Sequence, residues 1–128
     1  MKRKLLAIIL CIGILGVAIG APIAQARWTH LRSMTLNLSR SNNTVTSSTT
    51  IMGQSGTTRI SASFILERVV NGQYQQIDTW TASSNSTSLT NTRETSNCPS
   101  GIYRLRVTAI ITRNGTTETV PDSLVRAL

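Results

Sequence analysis

The sequence predicts an all-β protein, a small antiparallel β-sandwich of about seven strands following an N-terminal signal helix. Three observations predict it. Apolar and polar residues alternate with a period of two in segment after segment. Two Asn-Gly pairs, Asn71-Gly72 and Asn114-Gly115, each join two such segments, and this is the strongest short hairpin signal a sequence carries. Beyond the leader, 19 threonines and 15 serines make up a third of the 102 residues, a composition that favours strands and turns over helices. A small Greek-key barrel is the alternative architecture for this pattern.

The leader comes first. Lys2, Arg3 and Lys4 precede an apolar run from Leu5 to Ile19, and Ala24, Gln25 and Ala26 form the small-residue triplet of a signal peptidase site. This divides the chain into a signal peptide, residues 1–26, and one domain, residues 27–128, large enough for one modest core. An uncut anchor is the alternative, because Leu5 to Ala24 just spans a bilayer of roughly 30 Å. It would be the chain's one membrane contact. Gly13, Gly16, Gly20 and Pro22 argue for cleavage after Ala26, since they make a poor permanent helix. Cys11 lacks the small residues that a lipoprotein site places before its cysteine. The expected location is therefore secreted or associated with the cell envelope.

Cleavage takes three of the thirteen basic residues and none of the five acids, so the net charge falls from +8 to +5. The remaining basic residues are all arginine, scattered from Arg27 to Arg126 without a run. This argues against a nucleic-acid tract and leaves a mild, salt-screened attraction to anionic wall polymers, headgroups and acidic proteins. Cleavage also removes Cys11 and leaves Cys98 alone, so an internal disulfide cannot form and the hydrophobic core must hold the fold. In the loop Ser96 to Gly101, Cys98 is a candidate for a disulfide between copies. An idle or partly buried thiol is the alternative.

Along the chain, Met34, Leu36 and Leu38 alternate with polar residues to give a first strand, and Val45 to Met52 a weaker second. Thr58 to Val70 sets Ile60, Ala62, Phe64 and Leu66 on one face against Arg59, Ser61, Ser63, Ile65 and Glu67 on the other. After Asn71-Gly72 the return strand spans Tyr74 to Thr81, where Tyr74, Ile77 and Trp80 do not hold one parity and so predict a bulge or a two-sided strand. Ala82 to Ser88 reads as a polar loop and Leu89 to Thr95 as a short strand. Ile102 to Thr112 is the clearest strand, with Tyr103, Leu105, Val107, Ala109 and Ile111 inward. Thr116 to Val120 returns until Pro121 ends the ladder.

The segment Gly101-Ile102-Tyr103-Arg104-Leu105-Arg106-Val107-Thr108-Ala109 resembles strand F of fibronectin type III and related immunoglobulin-like domains. That resemblance implies a tyrosine corner at Tyr103, its ring in the core and its hydroxyl bonded to the preceding corner. A broader likeness runs from Arg27-Trp28 through Thr58 to Leu66, Asn71 to Trp80 and Gly101 to Val120. It resembles a family of small secreted proteins of Gram-positive bacteria with an immunoglobulin/fibronectin type III-like sandwich, although Tyr74 stands where that family is expected to carry tryptophan. The likeness implies fold and export and no chemistry.

Catalysis is not expected. The only histidine is His30, and Glu67, Asp78, Glu94, Glu118 and Asp122 are expected on different strands as ordinary surface charges, with no pair held for acid–base work. No metal-ligand cluster and no cofactor motif is present in the sequence. In an immunoglobulin-like sandwich the strands at 58–70 and 102–112 are neighbours, so Arg59, Ser61, Ser63, Ile65, Arg104, Arg106, Thr108 and Ile110 share one outward surface. Arginines beside two exposed isoleucines form a candidate docking face for an extracellular protein or an anionic cell-wall polymer. A plain solvated sheet face is the alternative. Charge reversal at Arg104 and Arg106 is expected to weaken retention on anionic walls and leave the melting curve nearly unchanged. Two further readings are a homo-oligomeric surface subunit joined through edge strands or Cys98, and an extracellular enzyme inhibitor presenting a loop such as Ser83 to Ser88.

Overall fold

In the computed structural model, which describes residues 28–128, the chain forms β1 (Leu31–Ser41), β2 (Thr44–Gly53), β3 (Thr57–Val70), β4 (Gln73–Ser84), β5 (Ser88–Thr95), β6 (Ile102–Arg113) and β7 (Thr116–Ala127). The expected signal helix, the cleavage after Ala26 and Cys11 lie outside the described residues. Two-residue turns fix the registers. Asn71 and Gly72 adopt φ of 53° and 78°, and Asn114 and Gly115 adopt 52° and 79°, the positive values that both central positions of a type I′ turn require. A third such turn, Asn42-Asn43 at 52° and 60°, relies on asparagine's tolerance of the left-handed region.

The strands form two antiparallel sheets, β1-β2-β5 and β4-β3-β6-β7, which pack face to face as an immunoglobulin-like sandwich. Phe64 and Leu66 of β3 and Tyr103, Leu105, Val107 and Ile111 of β6 meet Leu38, Val45 and Ile51, each at most 1% exposed. The inward parity expected for β3 and β6 holds along both strands. Sheet β1-β2-β5 contributes less. Met34 and Leu36 are only half-buried, and Ser47 and Thr49 take buried inner positions between Val45 and Ile51.

Three differences from the sequence reading have local causes. Pro121 does not end the ladder, because β7 is an edge strand. The missing N–H of Pro121, opposite Thr108, falls where no partner strand needs it, and pairing continues to Ala127. β4 runs on to Ser84 instead of yielding to a loop at Ala82, since Ala82 and Ser84 still pair with Ala62 and Ile60. The first strand begins at Leu31, ahead of a bulge before Ser33. The irregularity predicted for the return strand is present: Leu66 pairs with Asp78 and Glu67 with Gln76, so Ile77 is the extra residue. Downstream of it Trp80 turns inward and stacks on Phe64, with ring centroids 5.3 Å apart and planes 8° from parallel.

Side chains seal the two open flanks of the sandwich. On one flank Asp78 of β4 accepts from Arg93 Nε and Nη2 at 3.1 Å each and from Thr95 Oγ1 at 2.6 Å, both residues on β5. Beside it the Trp80 indole N–H donates to Asn91 Oδ1 at 2.9 Å. On the other flank Glu118 of β7 accepts from the backbone N–H groups of Thr29, His30 and Leu31 at 3.0, 2.8 and 3.2 Å and from Thr29 Oγ1 at 3.1 Å. Burial pushes both carboxyls up. The bonds they accept outweigh that and hold both below their ordinary values. At one end, the hydroxyl of Tyr103, whose ring is fully buried, donates to the carbonyl of Pro99.

Two outcomes are expected. Tyr103→Phe should lower stability by about 1 kcal/mol or more in urea denaturation, because it leaves a corner carbonyl without its donor. Because folding depresses the Asp78 and Glu118 values, the unfolded chain takes up protons first. Their contribution is complete above the ordinary carboxylate range, near pH 4, and is lost as pH falls below it. Urea midpoints measured against pH should show that fall, and Asp78→Asn should make it shallower.

Candidate functional site

β3 and β6 lie side by side at the centre of the four-stranded sheet, so their outward residues share one face. Ser61 stands opposite Ile110, Ser63 opposite Thr108, Ile65 opposite Arg106 and Glu67 opposite Arg104, with Arg59 one step further along β3. β4 adds Thr79, Thr81 and Ser83 on one side, and β7 adds Thr119, Pro121 and Ser123 on the other. All eight residues of the expected docking face are therefore brought together, but they are not equivalent.

At one end of the face Arg104 and Arg106 converge on Glu67. Arg104 Nε donates to Glu67 Oε1 at 2.6 Å, and Arg106 donates from Nε to Oε1 at 3.1 Å and from Nη2 to Oε2 at 3.3 Å. The Arg104 guanidinium also lies over the Tyr74 ring, 3.7 Å from its centroid. Glu67 is thus not an ordinary surface charge. Its side chain is only 8% exposed beneath two arginines of which Arg106, at 48%, is the more open. Burial pushes the Glu67 carboxyl up. The hydrogen bond and charge of Arg104, with those of Arg106, outweigh this and keep it below its ordinary value.

The other end is different. Arg59 is exposed, and its Nη1 donates to Asn85 Oδ1 at 2.7 Å, with no acid bonded to it among the described residues. Next to it lies an open depression of about 390 Å³, lined by Arg59, Ser61, Ser63, Thr81, Ser83 and Thr108, with Ile110 beside Ser61. Ile110 is 42% exposed, whereas Ile65 is half-buried, so the face presents one exposed isoleucine and not two.

Cys98 is 1% exposed, and its Sγ donates to the carbonyls of Thr95 and Ser96 at 3.3 and 3.5 Å. The loop around it is tied down by Cys98 N–H to the Asn43 carbonyl and by Arg40 Nε to the Cys98 carbonyl, both at 2.8 Å. A disulfide to a second copy would require this corner to open. Glu118 and Asp122 share β7, so the five acids do not occupy five strands. Among the described residues, no group of three or more His, Cys, Asp or Glu is placed to hold a metal ion.

The fold defines the class, a seven-stranded immunoglobulin-like sandwich with a hydroxyl- and arginine-bearing outer face. No protein-family model matches the chain, and no curated protein matches it.

The Glu67 contacts change what charge reversal should do. Arg104→Glu with Arg106→Glu strips both partners from a nearly buried carboxylate and sets two more beside it, so stability should fall by roughly 2 kcal/mol or more. Adding Glu67→Gln should restore part of that loss in thermal denaturation. An unchanged melting curve in the double variant would mean that Glu67 does not depend on the arginines.

Proposed function

We propose that the protein is a secreted or envelope-associated, non-catalytic binding module that engages an extracellular protein or an anionic cell-wall polymer through the outer face of β4-β3-β6-β7. The observation that carries this reading is the composition of that face. It holds Arg59, Arg104 and Arg106 around exposed hydroxyls and Ile110, with one acid that two arginines already neutralise.

Four of the titratable groups support a role without chemistry. Glu67, Asp78 and Glu118 are each taken up in structural contacts, and His30 bonds the hydroxyls of Thr29 and Thr116. Self-assembly draws less support, since Pro121 and the β4 bulge interrupt two edge strands and Cys98 is buried.

Arg59→Glu with Ile110→Glu should reduce retention of the mature protein on anionic cell walls or on its extracellular partner about tenfold, with a melting curve close to wild type, because both side chains are exposed. Retention equal to wild type would remove this face from consideration.

A further inference from the structure

We infer that the depression between Arg59 and Thr108 is a subsite for an acidic saccharide chain, with Arg59 taking the anionic group and the serine and threonine floor taking the sugar hydroxyls. This rests on the docking face proposed above and narrows its partner.

The floor carries the argument. The hydroxyls of Ser61, Ser63, Thr81, Ser83 and Thr108 make no hydrogen bond within the described residues, as is true of most serines and threonines in the chain, and what sets these five apart is that they stand side by side next to Arg59. They stand in two adjacent cross-strand rows, Ser83–Ser61 and Thr81–Ser63–Thr108. Strand geometry sets neighbours in a row about 4.8 Å apart and the rows about 6.8 Å apart, a grid on the scale of a sugar ring. Each hydroxyl both donates and accepts, as sugar hydroxyls do, so a saccharide can satisfy the floor in either sense. Exposed Ile110 offers an apolar platform for the C–H side of a ring.

Charge and shape narrow the ligand further. Among the described residues Arg59 is the one charged residue lining the depression, so the site complements an anion and does not repel one. No aromatic residue lines it, and the floor is too shallow for the buried anchor that dominates protein–protein hot spots. An open trough on a sheet surface accommodates a chain passing over it better than a small molecule that must be enclosed.

The test compares binding of the mature protein to immobilised hyaluronate and polygalacturonate with binding to polyglutamate, an acidic chain without sugar, and to dextran, a sugar chain without charge. The acidic saccharides should be retained most strongly. Arg59→Gln should weaken that retention about tenfold, as should the isosteric pair Thr81→Val with Thr108→Val, while polyglutamate binding is unchanged by the valine pair. Polyglutamate binding as strong as that of the acidic saccharides, indifference to the valine pair, or no retention of either acidic saccharide would overturn the subsite. If a native extracellular partner is still lost on Arg59→Glu with Ile110→Glu but unaffected by the valine pair, the docking face stands and the saccharide assignment fails. A melting curve for each variant close to wild type separates these outcomes from misfolding.

Discussion

Two sheets with no disulfide between them among the described residues must be sealed at their open flanks, and in this sandwich two carboxylates do the sealing. Apolar contact fills the centre, but the flanks are where water would enter between the layers. Asp78 reaches across one of them to Arg93 and Thr95, and Glu118 gathers three successive backbone N–H groups at the entry to β1, Thr29 to Leu31, on the other. Each acid sits on an edge strand of the four-stranded sheet and captures donors from the opposite layer. The β4 bulge is part of this arrangement. The extra residue Ile77 switches the parity of the strand, so that Asp78 and Trp80 both lie on its inward side, one sealing the flank and the other stacking on Phe64.

The outer face follows from the same placement of β3 and β6 at the centre of their sheet. Side chains that alternate into the core on one side must alternate outward on the other, which sets Glu67 beside Arg104 and Arg106 and leaves Arg59 at the far end. One end of the face is therefore charge-saturated and stiffened by the Tyr74–Arg104 stack, while the other keeps an arginine with no acid partner, and hydroxyls with no partner, among the described residues. A face polarised in this way presents two different chemistries to whatever approaches it.

Much of this was legible in the sequence. Residues 58–70 and 102–112 declared their inward sets because they alternate cleanly, and the Asn-Gly pairs fixed both hairpins because few other dipeptides tolerate two positive φ values. The mixed parity of Tyr74, Ile77 and Trp80 signalled the bulge. What was not legible depended on partners distant in sequence. Nothing local to Pro121 says that its strand is an edge. Nothing local to Glu67 says that two arginines nearly forty positions away will cover it, although strand parity had already put all three on one face. β2 was weak for a reason now visible: Ser47 and Thr49 occupy inner positions, and the Ser47 hydroxyl is buried without a partner.

The burial of Cys98 has a practical consequence. Cys98 is the one thiol among the described residues, enclosed at the corner where the β1–β2 turn, the loop before β6 and the Tyr103 hydroxyl converge. A thiol reagent can reach it only when that corner breathes. The pace of its labelling is thus a clock built into the native molecule, which times excursions of the corner with no engineered cysteine needed to report them.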